Sequence, residues 1–172
     1  IGPDGFVYVA DTFNHRIQKF NAEGDVIKVW GGFGSVVDGD SSVGLLNEPW
    51  GIAVSEDGYV YVADTWNHRV QKYNSEGGFV ATWGQFGNDM ELGSMWGPRA
   101  VAIGPEGNVY VADTGNKRVS VFGAGGEPLR QIGASGVMEG ELDEPVGVAL
   151  AMESSQEGQQ VALNSEVTIP SF

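Results

Sequence analysis

The feature that most constrains the fold of this chain is a motif that occurs three times along it. Residues 7–20 are VYVADTFNHRIQKF, residues 60–73 are VYVADTWNHRVQKY, and residues 109–122 are VYVADTGNKRVSVF. The aspartates at the centre of the three copies, at positions 11, 64 and 113, are separated by 53 and then 49 residues. Self-similarity at such a period is the signature of a fold assembled from similar structural units.

Two further markers frame each unit at constant spacing. A Trp-Gly or Ile-Gly pair follows each aspartate by 19 residues, and a proline opens the next unit. The interval from the first residue of the pair to the proline is 19, 15 and then 13 residues, so the variation in length is confined to one loop per unit. These residues are Trp30, Trp83 and Ile132 for the pairs, and Pro49, Pro98 and Pro145 for the prolines.

Each unit is predicted to form four short strands. In the middle unit they are Gly51–Val54, Tyr59–Ala63, Arg69–Tyr73 and Phe79–Trp83, which are rich in valine, tyrosine and phenylalanine and are bounded by turn residues. Apolar residues at sustained helical spacing do not occur. Units of four antiparallel strands repeated every ~40–50 residues are typical of the blades of a β-propeller, so the predicted fold class is all-β, with about three blades present.

The motif resembles the NHL repeat. The resemblance rests on Tyr-Val-Ala-Asp-Thr-x-Asn-His-Arg in the first two copies, on the Trp-Gly pair and on the Pro-x-Gly-Ile-Ala opening; the third copy departs from it at Asn116-Lys117-Arg118. Membership of this family implies a six-bladed propeller as the closed form, of which this chain would be a part. The expected blade units are about 1–48, 49–97 and 98–144, with an extra inner strand at 145–150 that completes a propeller region of 1–150, and a degenerate or poorly ordered tail at 151–172.

The recurring polar residues of the motif are predicted to be structural. A single active site needs a given residue once, whereas these occur in every unit, and an aspartate in such a turn can accept hydrogen bonds from the turn itself and from the arginine that follows. The alternative is a ring of ligands or acid catalysts. The residues concerned are Asp11, Asn14, Arg16, Asp64, Asn67, Arg69, Asp113, Asn116 and Arg118.

Charge excludes one class of partner. The net charge is −14, and six of the nine lysines and arginines lie inside the repeated motif, so no surplus of cations remains to neutralise the phosphates of a nucleic acid. No apolar run is long enough to span a bilayer. The variable loops carry nine carboxylates, which form either a solvated rim or a surface that attracts a cation or a basic partner. They are Asp38, Asp40, Glu48, Asp89, Glu91, Glu139, Glu141, Asp143 and Glu144.

Residues that occur once are better candidates for a ligand site than residues that recur. Trp50 and Arg99 follow the blade-opening prolines and are expected near the mouth of the central channel, while Phe33, Trp66 and Trp96 lie in the loops. Aromatic surface with one cation and surrounding acids would suit a peptide or a sugar. The alternative is that these side chains pack between blades.

A binding module is favoured over an enzyme. The sequence contains no cysteine, no nucleophile-elbow motif and no His-Glu-x-x-His, and no carboxylate pair can be singled out, so no catalytic residue, cofactor or metal ligand is predicted. The predicted partner is a protein, peptide or carbohydrate on the loop face. The alternative is a fragment of a propeller enzyme of the metal-dependent lyase or lactonase type. The resemblance further implies an exported or surface-exposed bacterial setting, and a homodimer is expected if the chain is not an excerpt of a longer one.

Overall fold

The computed structural model describes residues 1–36, 43–88 and 91–151. Two of its sheets have four antiparallel strands in the order of the sequence, and one has three. Two pairs of two-residue strands run parallel to each other in the loops between the sheets. The all-β fold predicted from the repeat is confirmed.

The strands are numbered β1 to β15 along the chain. Blade 1 consists of β1 (Val7–Asp11), β2 (Arg16–Phe20) and β3 (Val26–Gly31); blade 2 of β4 (Pro49–Val54), β5 (Val60–Asp64), β6 (Arg69–Tyr73) and β7 (Phe79–Trp83); and blade 3 of β10 (Ala100–Ile103), β11 (Val109–Asp113), β12 (Arg118–Phe122) and β13 (Pro128–Ile132). The loop strands are β8 (Gln85–Phe86), β9 (Ser94–Met95), β14 (Ala134–Ser135) and β15 (Glu141–Leu142). Short 3₁₀ turns occupy Thr12–Asn14, Thr65–Asn67 and Thr114–Asn116.

The hydrophobic core lies between the blades. One cluster fills the junction of blades 1 and 2, and a second fills the junction of blades 2 and 3. Each strand of blade 2 contributes alternate residues to the two junctions, as expected for a sheet that is covered on both faces. The first cluster contains Tyr8, Ile17, Leu46, Val60, Val62 and Tyr73, and the second contains Tyr61, Val70, Met95, Val101, Val109, Val111 and Phe122.

Lysines of the repeat join neighbouring blades at the side opposite the 3₁₀ turns. The Nζ of Lys19 in blade 1 donates a hydrogen bond to the backbone oxygen of Ser75 in blade 2, at 3.2 Å. Lys72 donates in the same way to the backbone oxygen of Ala124 in blade 3, also at 3.2 Å. The repeated lysine is therefore a connection between blades in both junctions that the structure describes.

The extra inner strand expected at 145–150 is not formed in the structure. These residues are described, but they are not paired with any strand of the described part of the chain. A β-strand exists through its hydrogen-bonded neighbour. The expected tail, residues 151–172, lies outside the described residues except for its first residue. Among the described residues, no helix is both long and apolar enough to cross a membrane.

Candidate functional site

The 3₁₀ turns and the loops that connect one blade to the next meet on one side of the sheets. We call this side the loop face; it comprises the three 3₁₀ turns and the described parts of the inter-blade loops 32–48, 85–97 and 134–144. All five residues that the sequence nominated for ligand binding lie on it or at its border with the inner strands.

Asp64 is the centre of a buried polar network at the junction of blades 1 and 2. Its side chain is fully buried and its carboxylate accepts four hydrogen bonds. The donors are the backbone N–H of Asn47 at 2.6 Å, the side-chain amides of Asn67 and Gln71 at 2.9 Å each, and Nε of Arg69 at 2.7 Å. A buried carboxylate needs this degree of satisfaction, since an unpaired one is very costly. All four of these donors belong to the protein, so the carboxylate has a structural role in the junction.

Asp113 repeats this arrangement at the next junction. It is fully buried and accepts hydrogen bonds from the backbone N–H of Trp96 and from Asn116, Arg118 and Ser120. Both arginines also hold the preceding loop, because Nη2 of Arg69 donates to the backbone oxygen of Leu45, and Nη2 of Arg118 to that of Ser94, at 2.9 Å in each case. The network therefore fixes the end of each inter-blade loop to the next blade.

Asp11, the first aspartate of the series, is more open. It accepts hydrogen bonds from Asn14, Arg16 and Gln18 at 2.7–2.9 Å, and its side chain is 22% exposed. The hydrogen bonds from Arg16 and Asn14 hold the pKa of the Asp11 carboxyl below its usual value. The aspartate thus has the same contacts with the asparagine and the arginine of its own copy in all three copies, while Ser120 takes the place of the glutamine in the third.

The two histidines connect blades as hydrogen-bond acceptors. Nδ1 of His15 accepts the backbone N–H of Glu48 at 3.0 Å, and Nδ1 of His68 accepts that of Gly97 at 3.1 Å. Both histidines have the left-handed backbone conformation that ends the 3₁₀ turn. Burial lowers the pKa of His68, which suits a ring that must be neutral in order to accept a hydrogen bond at Nδ1.

The third copy uses a salt bridge where the other two use a histidine. Lys117 has the same left-handed conformation as the histidines, and its Nζ lies 2.7 Å from Oδ1 of Asp143. The hydrogen bond that Lys117 donates to this carboxylate raises the pKa of Lys117. In the third copy, the salt bridge of Lys117 therefore replaces the hydrogen bond of the histidine as the connection to the following loop.

The aromatic candidates of the loop face are only partly covered. Trp66 and Trp96 are each 42% exposed, Trp50 is 46% exposed, and Phe33 is 59% exposed. None of the four belongs to the buried cores of the two junctions, which consist of other residues. Whether a ligand covers them stays a prediction.

Histidines and aromatic rings of the loop face form a series of contacts in two groups. The ring of Phe33 packs on that of His15, with centroids 4.9 Å apart. Further along, Trp66 contacts His68 at 6.5 Å and Phe86 contacts the same histidine at 4.8 Å. Phe86 then contacts Trp96 at 6.1 Å. We call the exposed residues of this series, Phe33, Trp66, Phe86 and Trp96, the aromatic strip.

The structure adds two aromatic residues that the sequence did not nominate. Phe86 is 61% exposed and occupies in unit 2 the position that Phe33 has in unit 1, three residues after the tryptophan of the Trp-Gly pair. Phe13 is 78% exposed and corresponds to Trp66 in the repeated motif. Alignment of the loops against each other, in addition to the motif, was the signal that could have identified both.

Trp50 and Arg99 lie together at the start of two neighbouring inner strands. The guanidinium carbon of Arg99 is 4.8 Å from the ring centroid of Trp50, which is a cation–π contact. Close approach of the inner strands brings the two side chains together, since a Cβ on Gly51 would lie 2.6 Å from the Cα of Ala100. That both lie near the mouth of the central channel stays a prediction, and the structure shows that their side chains contact each other.

Six of the carboxylates expected in the loops are described, and three are not. Glu48, Glu91, Glu139, Glu141, Asp143 and Glu144 lie on the loop face, whereas Asp38, Asp40 and Asp89 lie outside the described residues. Glu48 accepts the indole N–H of Trp66 at 3.0 Å. Within the described ranges, no three histidine, aspartate or glutamate side chains are grouped in a way that could hold a metal ion.

Comparison with known proteins identifies the repeat. The NHL repeat matches residues 1–20, 46–73 and 95–122. Protein SUPPRESSOR OF QUENCHING 1, chloroplastic, from Arabidopsis thaliana is 34% identical over 70 residues, which are 40% of this chain and 7% of that protein. NHL repeat-containing protein 2 from Gallus gallus is 35% identical over 74 residues, 41% of this chain and 10% of that protein. The matches thus span a tenth or less of the length of these relatives.

The structural comparison identifies the architecture. Virginiamycin B lyase from Staphylococcus aureus superposes with a TM-score of 0.60 over 86% of this chain and 43% of that one, at 13% sequence identity. At this identity the likeness concerns the fold. Together with the four-stranded antiparallel sheets, it shows that this chain has the β-propeller fold, with three NHL repeats in its sequence.

Proposed function

We propose that this chain is a non-enzymatic binding module whose loop face takes a protein, peptide or carbohydrate ligand. The single observation that carries the proposal is a difference in burial between two groups of residues on the loop face. Recurring polar residues such as Asp64 and Asp113 are buried and hydrogen-bonded within the protein, whereas the aromatic residues Phe33, Trp66 and Trp96 are exposed. Large aromatic side chains are enriched at interfaces because they bury much area with few rotatable bonds.

The position of the variable loops within the propeller also supports the loop face as the ligand-binding site. Ligands of repeat proteins and barrels bind where loops from several units converge, because those loops vary without disturbing the scaffold. In this chain the loops of variable length and the aromatic strip occupy the same side. The stacked pair Trp50 and Arg99 borders it. A ligand of the loop face would therefore contact aromatic rings, one guanidinium and several carboxylates.

Mapping of bound ligands by NMR tests the proposal. Peptide and glycan arrays supply candidate ligands, and each is titrated into the ¹⁵N-labelled chain. We expect the perturbed amides to cluster at Phe33, Trp66 and Trp96, and Trp66→Ala to weaken binding. Perturbations confined to the β-turns opposite the loop face, such as the turn that contains Gly58, would contradict the proposal.

The alternative is that the chain is a segment of a propeller enzyme of the metal-dependent lyase or lactonase type, with catalytic residues largely outside it. The shared fold with virginiamycin B lyase is the reason to test it. The discriminating measurement is elemental analysis of a longer protein that contains this chain with flanking blades. A stoichiometric metal that is lost with activity on chelation would favour the enzyme.

We also propose that the chain forms a homodimer if it is not an excerpt of a longer one. Strand β1 pairs with β2 on one side, and on its other side no strand of the described residues pairs with it. Free strand edges promote association through additional antiparallel pairing. Sedimentation equilibrium of the 172-residue chain measures this directly, and a monomer at high micromolar concentration would contradict it.

A further inference from the structure

We propose that the aromatic strip binds an extended segment of a partner protein that carries arginine or lysine side chains. This inference rests on the proposed function, which it narrows to one class of ligand. The strip comprises Phe33, Trp66, Phe86 and Trp96, with rings exposed by 42–61%. Trp66, Phe86 and Trp96 are linked through ring contacts that include His68. Phe33 packs on His15, whose Nδ1 accepts the N–H of Glu48, the partner of Trp66, so a single extended ligand can contact several members of the strip.

The charge around the strip favours a cation. The described loop face carries six carboxylates, whereas Arg16, Arg99 and Lys117 lie at its border. Lys117 is paired with Asp143 at 2.7 Å, and Arg99 is stacked on Trp50 at 4.8 Å. An acidic surface raises the local concentration of a basic segment and repels an acidic one.

The best-defined contact point is the pair formed by Trp66 and Glu48. Oε2 of Glu48 accepts the indole N–H at 3.0 Å, which fixes the orientation of the ring and holds a carboxylate at its edge. Glu48 is itself held in place, because its backbone N–H donates a hydrogen bond to Nδ1 of His15 at 3.0 Å. A guanidinium stacked on the indole face gains a cation–π contact and has this carboxylate within reach.

A carbohydrate or a nucleic acid fits these residues less well. A sugar would stack on Trp66 or Trp96 but would leave the surrounding carboxylates without a complementary charge. A nucleic acid would stack on the same rings, but its phosphates would meet an acidic face on a protein with a net charge of −14. Only a cationic segment uses both the rings and the charge.

Fluorescence anisotropy with the full 172-residue chain tests the inference. The probe is a fluorescein-labelled nonapeptide of alternating glycine and arginine, measured at about 150 mM salt so that long-range attraction is screened. We expect the double variant Trp66→Leu/Trp96→Leu to bind at least about tenfold more weakly at unchanged net charge. Glu48→Gln, which keeps an acceptor for the indole N–H but removes the charge, should bind about threefold more weakly.

The matched control is Glu23→Gln, which removes one charge from an exposed turn between β2 and β3, away from the loop face. It should bind the probe as the wild type does, and thermal denaturation should show all variants to be folded. Equal loss in the Glu23 and Glu48 variants, or wild-type affinity in the double tryptophan variant, overturns the inference in favour of general attraction between opposite charges.

Two further probes separate this inference from the function on which it rests. Cellohexaose and an uncharged glycine–serine nonapeptide are titrated against the intrinsic tryptophan fluorescence. If either binds and loses affinity in the double tryptophan variant while the arginine peptide does not bind, the loop face is a ligand site but the basic-segment inference is wrong. If none of the three probes binds the wild-type chain, the inference fails together with this assignment of the loop face.

Discussion

The indole ring of Trp30 in blade 1 lies against Gly77 in blade 2, so closely that a Cβ on Gly77 would be 2.7 Å from Cδ2 of the ring. Gly126 of blade 3 has the same relation to Trp83, at 2.6 Å. Each outer tryptophan is therefore covered by the hairpin turn of the following blade. The absence of a side chain in this turn is a packing requirement of the junction, in addition to the positive φ that the turn needs.

Replacement of Gly77 separates these two requirements. Gly77→Ala should lower the free energy of unfolding by about 2–4 kcal/mol, because the φ of +76° strains alanine and the added carbon overlaps the Trp30 ring. The matched control is Gly58→Ala, with a φ of +84° and no heavy atom within 4 Å of the added carbon. That variant should lose only about 1 kcal/mol. Equal losses of unfolding free energy in the two variants, measured by urea denaturation, would show that the overlap with the Trp30 ring does not destabilise the protein.

The arginines of the motif should differ in importance although their geometry is the same. Nε of Arg69 and Nε of Arg16 each lie 2.7 Å from the aspartate of their own copy. Arg69 and Asp64 are almost completely buried, so Arg69→Met should cost about 3–5 kcal/mol by leaving a buried carboxylate without its counter-ion. Arg16→Met, in which the side chains concerned are 41% and 22% exposed, should cost much less. Chemical denaturation of both variants measures the difference, and similar losses would mean that burial does not determine the contribution.

Stability should fall in mildly acidic solution because of His68. Burial lowers the pKa of this histidine in the folded chain below its unfolded value of about 6.5. The unfolded state therefore takes up the proton first, so the stabilising contribution of neutral His68 is complete above pH ~6.5 and is lost as the pH falls below it. His68→Asn keeps an acceptor and a residue that tolerates the left-handed conformation, but does not titrate. Urea midpoints between pH 7.5 and 5.5 should fall less steeply for this variant, and parallel curves would contradict the prediction.

A buried hydroxyl should contribute to each blade junction. Oγ1 of Thr65 donates to the backbone oxygen of Pro98 at 2.7 Å, and Thr12 and Thr114 form the same contact with Pro49 and Pro145. Thr65→Val keeps the shape but leaves the carbonyl of Pro98 without this donor, so the free energy of unfolding should fall by about 1–3 kcal/mol. Thr65→Ser retains the hydroxyl and should lose less. If the serine variant is the weaker of the two in thermal unfolding, the methyl group and not the hydrogen bond is what matters.

The architecture could be predicted from the sequence because the turns within the repeated motif define where its strands begin and end. The strand that follows Asn67-His68, β6, begins and ends as predicted, since the turn before it and the glycine turn after it define both ends. The region 145–150 was expected to form a strand by analogy with Pro49–Val54, yet pairing depends on a neighbouring strand and not on local sequence.

The site was only partly accessible to sequence reasoning. Repetition indicated that the aspartates and histidines are structural, but it could not reveal that His68 accepts from Gly97 of the following loop. The contact between Trp66 and Glu48 joins residues of different units across a loop of variable length, so no fixed spacing predicts it. Phe86, by contrast, could have been found by alignment with Phe33.

The first inter-blade loop is held at both ends by hydrogen bonds to residues outside the loop. The first loop begins with the N–H of Gly32 on the backbone oxygen of His15 and ends with the N–H of Asn47 on Asp64. The entropy of closing the intervening segment depends only weakly on its length once both ends are fixed.

The parts of the loop next to the blades must be kept, because Leu46 belongs to the core and the backbone N–H groups of Val36 and Gly44 donate to Asn67 and Gln71. Foreign sequences of different length could therefore be grafted between Val36 and Gly44, and natural diversification could proceed there while the blades remain unchanged.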